Sequence, residues 1–125
     1  MYFTKENNFF HGIMFHHFHD EKIHLKSQGS ISKDDLQKLI KFIGRKNILD
    51  ANIFYKNLKN KKLKSNQVCF TFDDGIKSQI DIALPVLEEF KIKSFFFIYT
   101  SFLDGNFDNL EIFRFFRAIY YQNIN

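Results

Sequence analysis

Two short apolar runs, separated by an acidic turn and a helical stretch, constrain this chain more than anything else in it. Val68-Cys69-Phe70-Thr71-Phe72 is rich in β-branched and aromatic residues and runs straight into Asp73-Asp74-Gly75. Ile76 to Phe90 reads as a helix, and Lys93 to Tyr99 supplies a second β-rich run. Strand, loop, helix, strand is the order of a βαβ unit, whose crossing helix lets both strands point the same way. The expected fold class is therefore α/β with a parallel sheet. In such sheets ligands bind at the carboxyl ends of the strands, which is where Asp73 and Asp74 fall.

The segments before this unit read in turn as strand and helices. Residues 1–10 have no clear period and read as a strand-like lead-in. Gly12 to Asp20 reads as a strand, with Phe15, His17 and His19 on one face and Met14, His16, Phe18 and Asp20 on the other. Ser32 then caps a helix with Asp35 three residues on, and Leu36, Leu39, Ile40 and Ile43 form its apolar stripe before Gly44 stops it. Ile48-Leu49 suits a very short strand, and Asn52 to Lys59 a second short helix.

The helix after the acidic turn has its stripe at Ile80, Ala83, Leu84, Leu87 and Phe90, and Pro85 kinks it or marks where it properly begins. The three phenylalanines at 95–97 read as a strand buried on both faces. Asp104-Gly105 marks a turn. Asp108 with Glu111 caps a last helix through about Tyr121, apolar on more than one face and so expecting cover on several sides.

Composition narrows the function classes without selecting one. The 125 residues suit one domain, and the net charge of +4 permits anionic partners without demanding them. The basic run Lys56 to Lys64 has no stacking platform beside it, so it reads as a solvated face and no nucleic-acid partner is expected. The single cysteine, Cys69, sits in an apolar strand and reads as a packing residue rather than a reactive thiol. The longest apolar runs fall far short of a membrane span, and no signal peptide is visible. A cytoplasmic location is the default.

Adjacent carboxylates on a strand-end turn can divide a hydrolytic task. One can ligate a divalent metal while its neighbour takes a proton from water. An Asp-Asp-Gly turn is also ordinary turn chemistry, so the wider context decides. Thr71-Phe72-Asp73-Asp74-Gly75, the Leu84-Pro85-Val86-Leu87 helix end and Ile92-Lys93-Ser94-Phe95-Phe96-Phe97-Ile98 together resemble the polysaccharide deacetylase (NodB-homology) family over roughly residues 67–99. Gly12 to Phe18 looks like the strand that precedes this motif in many members.

The resemblance implies the N-terminal portion of a distorted (β/α) barrel with its site at the strand carboxyl ends. It implies a metal-assisted hydrolase that removes N-acetyl groups from a sugar or polysaccharide. Asp73 falls where the family has its catalytic base and Asp74 where it has a metal ligand, the metal usually being zinc. The chain departs from the family pattern: the downstream His-(Ser/Thr)-x-x-His pair is missing, since no histidine follows His24, the later substrate-groove and general-acid motifs are absent too, and 125 residues are too few for a complete barrel. Residues 1–125 are accordingly expected to form a single, incomplete deacetylase-like domain. Its parts are a strand and helices over 1–66, the motif-bearing unit over 67–99 and a terminal helix over 106–121.

His17 and His19, two apart on a strand face, have a spacing that can chelate a metal, although packing or hydrogen bonding is the commoner use; the resemblance carries no role onto them. Two alternatives stand beside the hydrolase. One is a magnesium-dependent phosphoryl-transfer or receiver-type domain. The other is a non-catalytic remnant that binds glycan or protein through its aromatic surface and self-associates through the apolar last helix.

Overall fold

The computed structural model describes residues 11–121, and the lead-in at 1–10 lies outside them. Three parallel strands form one sheet in the order β1-β2-β3: β1 His11–Phe15, β2 Val68–Phe72 and β3 Phe95–Phe96. The central strand, β2, is buried on both faces, which is why its sequence is a continuous apolar run and does not alternate. Phe15 lies opposite Phe72 in the β1–β2 register, and Phe72 opposite Phe96 in the β2–β3 register. Their rings stack across the sheet, with centroids 5.2 Å apart for Phe15–Phe72 and 4.7 Å for Phe72–Phe96.

Helix α1, Lys33–Ile43, begins as the sequence predicts. Ser32 Oγ accepts from Asp35 N–H while Asp35 accepts from Ser32 N–H, and Gly44 closes the helix at φ 83°. Leu36 and Ile40 of its stripe are fully buried. Helix α2, Ala51–Lys59, follows, and the lysines of the 56–64 run are exposed around it. Ile48 bridges to Val68 beside β2, so the expected short strand is an isolated bridge. Arg45 joins these parts. Its Nε donates to Phe90 O at 2.7 Å, its Nη1 to Ile48 O at 2.7 Å, and its Nη2 to Lys91 O.

Three expectations are corrected. The strand at 12–20 ends at Phe15, because the chain turns away there. Phe18 bridges to Ile31, and Asp20 Oδ1 accepts from the backbone N–H groups of Lys22, Ile23 and His24. The helix after the acidic turn is rotated from its predicted phase, with Gln79, Ile82, Ala83, Val86 and Leu87 buried and Ile80 exposed. Pro85 has no N–H to give to Asp81 O, and the chain answers with a π-helical segment, Gln79–Ala83, that runs into α3, Leu84–Glu89. Leu84 N–H reaches back to Gln79 O, five residues away. Finally, the Phe-rich strand is two residues long, and Phe97 is exposed where a doubly buried strand was expected.

The last helix, α4, Asn109–Tyr120, is capped by Asp108, whose carboxylate accepts from the N–H groups of Leu110 and Glu111. Ala118 is its one buried residue. Among the described residues no helix is long and apolar enough to cross a membrane.

Candidate active site

The acidic pair is held where β2 ends. Asp73 continues the ladder, its N–H donating to Phe15 O at 3.1 Å. Asp74 and Gly75 then take left-handed conformations, φ 74° and 68°, turning the chain sharply into the next helix. An aspartate tolerates this region better than most side chains do. At Gly75 a Cβ would sit 3.2 Å from Ile98 Cγ2, so the close approach of the segment after β3 also favours glycine.

Gln79 fixes this turn to its neighbour. Its fully buried side chain donates from Nε2 to Asp73 O at 2.6 Å and to His16 O at 2.8 Å, bridging the loops that leave β2 and β1. Its Oε1 is buried and has no hydrogen-bond partner among the described residues. Next to it, Ser78 Oγ accepts from Phe18 N–H at 3.3 Å, a second tie between the same two loops.

These ties bring His16 to the acidic pair. His16 Nε2 lies 3.8 Å from Asp74 Oδ2, and the two side chains are 34% and 37% exposed, so both remain open to solvent and to a ligand. Asp73 is half-buried, and its carboxylate has no hydrogen-bond partner among the described residues. The other two histidines of the cluster point to different partners. His17 Nε2 stands 2.6 Å from Arg114 Nη1 and 3.2 Å from Glu111 Oε1, on α4. His19 Nδ1 stands 2.9 Å from Ser30 Oγ. The predicted His17–His19 face therefore does not form.

Sequence reasoning missed His16 and Gln79. Parallel register places residue 16 beside residue 73 once Phe15 and Phe72 are paired, but the pairing itself is not visible in one strand's sequence. Gln79 was hidden by the helix phase.

As a metal site the donor set is short. Among the described residues no three His, Cys, Asp or Glu side chains cluster as a metal site would require. Asp74 and His16 would offer two donors, and a catalytic zinc takes about three from protein. The residues present do not, by themselves, fit a catalytic zinc.

The geometry defines a class: a parallel α/β sheet with an acidic pair on a strained turn at the carboxyl end of its central strand. The comparisons then place it more closely. Residues 60–114 match the family model for polysaccharide deacetylase. A solved de-N-acetylase from Aggregatibacter actinomycetemcomitans shares the fold, with a TM-score of 0.61 at 18% sequence identity, over 78% of this chain. The chain spans 40% of that structure's length. No curated protein matches the chain at a significant level. Over residues 60–114 the chain is similar to polysaccharide deacetylases, as the resemblance at Thr71 to Gly75 implied.

Proposed function

We propose that this chain carries the acidic half of a carbohydrate de-N-acetylase site. The observation that carries the reading is the Asp73–Asp74 turn, held against His16 at the carboxyl ends of two neighbouring parallel strands, inside a segment that matches polysaccharide deacetylases. The reaction is amide hydrolysis: water adds to the acetyl carbon, the C–N bond breaks, and acetate and a free amine leave. It needs a base to take a proton from water and an acid to protonate the departing amine.

Asp73, whose carboxylate has no hydrogen-bond partner among the described residues, serves as the base. His16, whose imidazole stands beside the acidic pair, gives the amine its proton. Asp74 serves as a ligand for a divalent metal, zinc first among them. The chemistry such an ion would supply is polarisation of the acyl carbonyl. With His16 kept for proton transfer, Asp74 is the one donor left where about three are needed, so catalysis calls for metal ligands beyond the described residues. The substrate class is an N-acetylated sugar or polysaccharide. The family match favours this chemistry over the phosphoryl-transfer alternative.

The test has two arms: acetate release from N-acetylglucosamine oligomers with and without zinc, and zinc affinity by calorimetry. Asp73→Asn is expected to lower kcat/KM by about a hundredfold or more while leaving zinc affinity unchanged, and Asp74→Asn to lower both. Acetate release that survives both substitutions overturns the assignment.

A further inference from the structure

The excess of positive charge in this chain is gathered in one place. There are 18 Lys and Arg against 14 Asp and Glu, so without Lys56, Lys59, Lys61, Lys62 and Lys64 acids would outnumber bases by one. All five lysines are exposed, and none makes an ion pair among the described residues. No Asp or Glu lies between Ala51 and Phe72, and Asp50 just before them is engaged by Arg45 and by Lys93 N–H.

The lysine run is an ordered structure. Lys61, at φ 54°, closes α2: its N–H donates to Leu58 O at 3.1 Å, and Lys62 N–H donates to Asn57 O at 2.8 Å. Leu63 is buried among the lysines, and Lys64 N–H donates to Gln67 Oε1 at 3.0 Å. The cations are thus held on a fixed base at the amino end of β2. The acidic pair lies at the other end of that strand, roughly 17 Å away. Taking ammonium groups out of water without partners is costly, so further parts of the same fold would cover this surface poorly, whereas an anionic surface suits it.

We propose that the surface formed by residues 55–64 docks onto a membrane of anionic phospholipid. Two features select lipid among anionic partners. Tyr55 and Leu58, 55% and 44% exposed, share a side of α2 with Lys59, so apolar groups stand among the cations as binding at a bilayer surface requires. The cations are also all lysines, compact point charges suited to a diffuse field of headgroups, where bidentate phosphate contacts to a nucleic acid call for arginine. Lys59 Nζ already stands 5.5 Å from the centre of the Tyr55 ring, over the face that a stacked base would need. Docked in this way, the chain turns its acidic end away from the bilayer. None of these residues belongs to the acidic site, so the two readings stand apart.

Co-sedimentation of the whole chain with vesicles tests it. Vesicles of about one-third phosphatidylglycerol in phosphatidylcholine should carry the chain down at about 0.1 M salt and release it at about 1 M, where the screening length falls to about 3 Å. Pure phosphatidylcholine vesicles should leave it in solution. Lys59→Gln/Lys62→Gln is expected to lower the partition coefficient by about thirtyfold with circular dichroism unchanged. Lys22→Gln/Lys26→Gln, an equal loss of charge at exposed lysines elsewhere, should leave it within about threefold. Should the first pair misfold, Lys61→Asn, which suits the left-handed position, decides in its place with an expected loss of about fivefold. The proposal is overturned by a chain that ignores phosphatidylglycerol vesicles or binds neutral ones equally well. It is overturned too if the two lysine pairs have equal effects, if folded Lys61→Asn binds as wild type does, or if duplex DNA or polyglutamate at equal charge strips the chain from the vesicles.

Discussion

Replacing Gln79 probes how the two loops of the site are held. Its side chain is fully buried and gives two hydrogen bonds, to the carbonyls of His16 and Asp73. Gln79→Leu keeps the shape and removes both donors, at about 1–2 kcal/mol for each carbonyl left without its partner. Part of this is returned, because the orphaned Oε1 goes too, and a buried amide oxygen without a partner costs about 1–2 kcal/mol. One unsatisfied group remains on balance, so the net loss expected is roughly 1–2 kcal/mol.

Gln79→Glu is worse at neutral pH, since a carboxylate faces two carbonyl oxygens, donates nothing and is buried. Burial raises the pKa of the introduced carboxyl in the folded state, so its protonated form is the one the fold tolerates. The deficit relative to wild type is therefore smallest below the ordinary glutamate value of about 4.3 and grows as pH rises through the raised folded value. Urea unfolding followed by circular dichroism, at acidic and neutral pH, reads both effects; the chain has no tryptophan to report by fluorescence. A Gln79→Leu protein within about 0.5 kcal/mol of wild type, or a Gln79→Glu deficit independent of pH, would refute the bridge as a structural tie.

Two further outcomes follow from the same physics. Burial, with the charge of Asp50 adding to it, pushes the Cys69 thiol up to about 11, so a disulfide reagent at pH 8 should label the folded chain very slowly and the urea-unfolded chain at once; rapid labelling of the folded chain would contradict the packing. The N–H groups of His24, Ile23 and Lys22 hold the Asp20 carboxyl down at about 2, so the order they give the 20–24 turn is fully present above about pH 4 and is lost as pH falls toward 2. An NMR titration of Asp20 with a midpoint near 4 would contradict this.

What the sequence made legible was what local chemistry settles. The capping box at Ser32 and Asp35, the glycine stop at 44, the Asp108 cap and the apolar run of β2 all act within a few residues, and each appears where it was read. The deacetylase likeness was legible for a related reason, since Thr71 to Gly75 packs strand, acidic pair and turn into five positions.

The misreadings of β1 and of the histidines involved partners distant in sequence, while the helix phase turned on a backbone adjustment that the pattern of apolar residues does not show. The length of β1 depends on Ile31 drawing Phe18 out of the ladder, and the helix phase depends on how the chain absorbs Pro85. The His-rich segment 16–19 carries no local sign of which imidazole meets Asp74, because that is decided by the register between β1 and β2.

The same long-range logic joins α4 to the site. His16 is positioned through its backbone, by the Gln79 side chain on one side and by its covalent neighbour His17 on the other. His17 in turn is held by Arg114 and Glu111 of α4, a helix that has one buried side chain and a polar contact to fasten it. The imidazole next to the acidic pair therefore sits between a tie to the buried Gln79 and a tie to a helix with a single buried side chain. Ordering α4 by covering its aromatic face would tighten the second tie without touching any residue of the acidic turn. A site of this construction gains definition from contacts made on the far side of the helix, and the inward turn of Arg114 and Glu111 is the physical link that carries it.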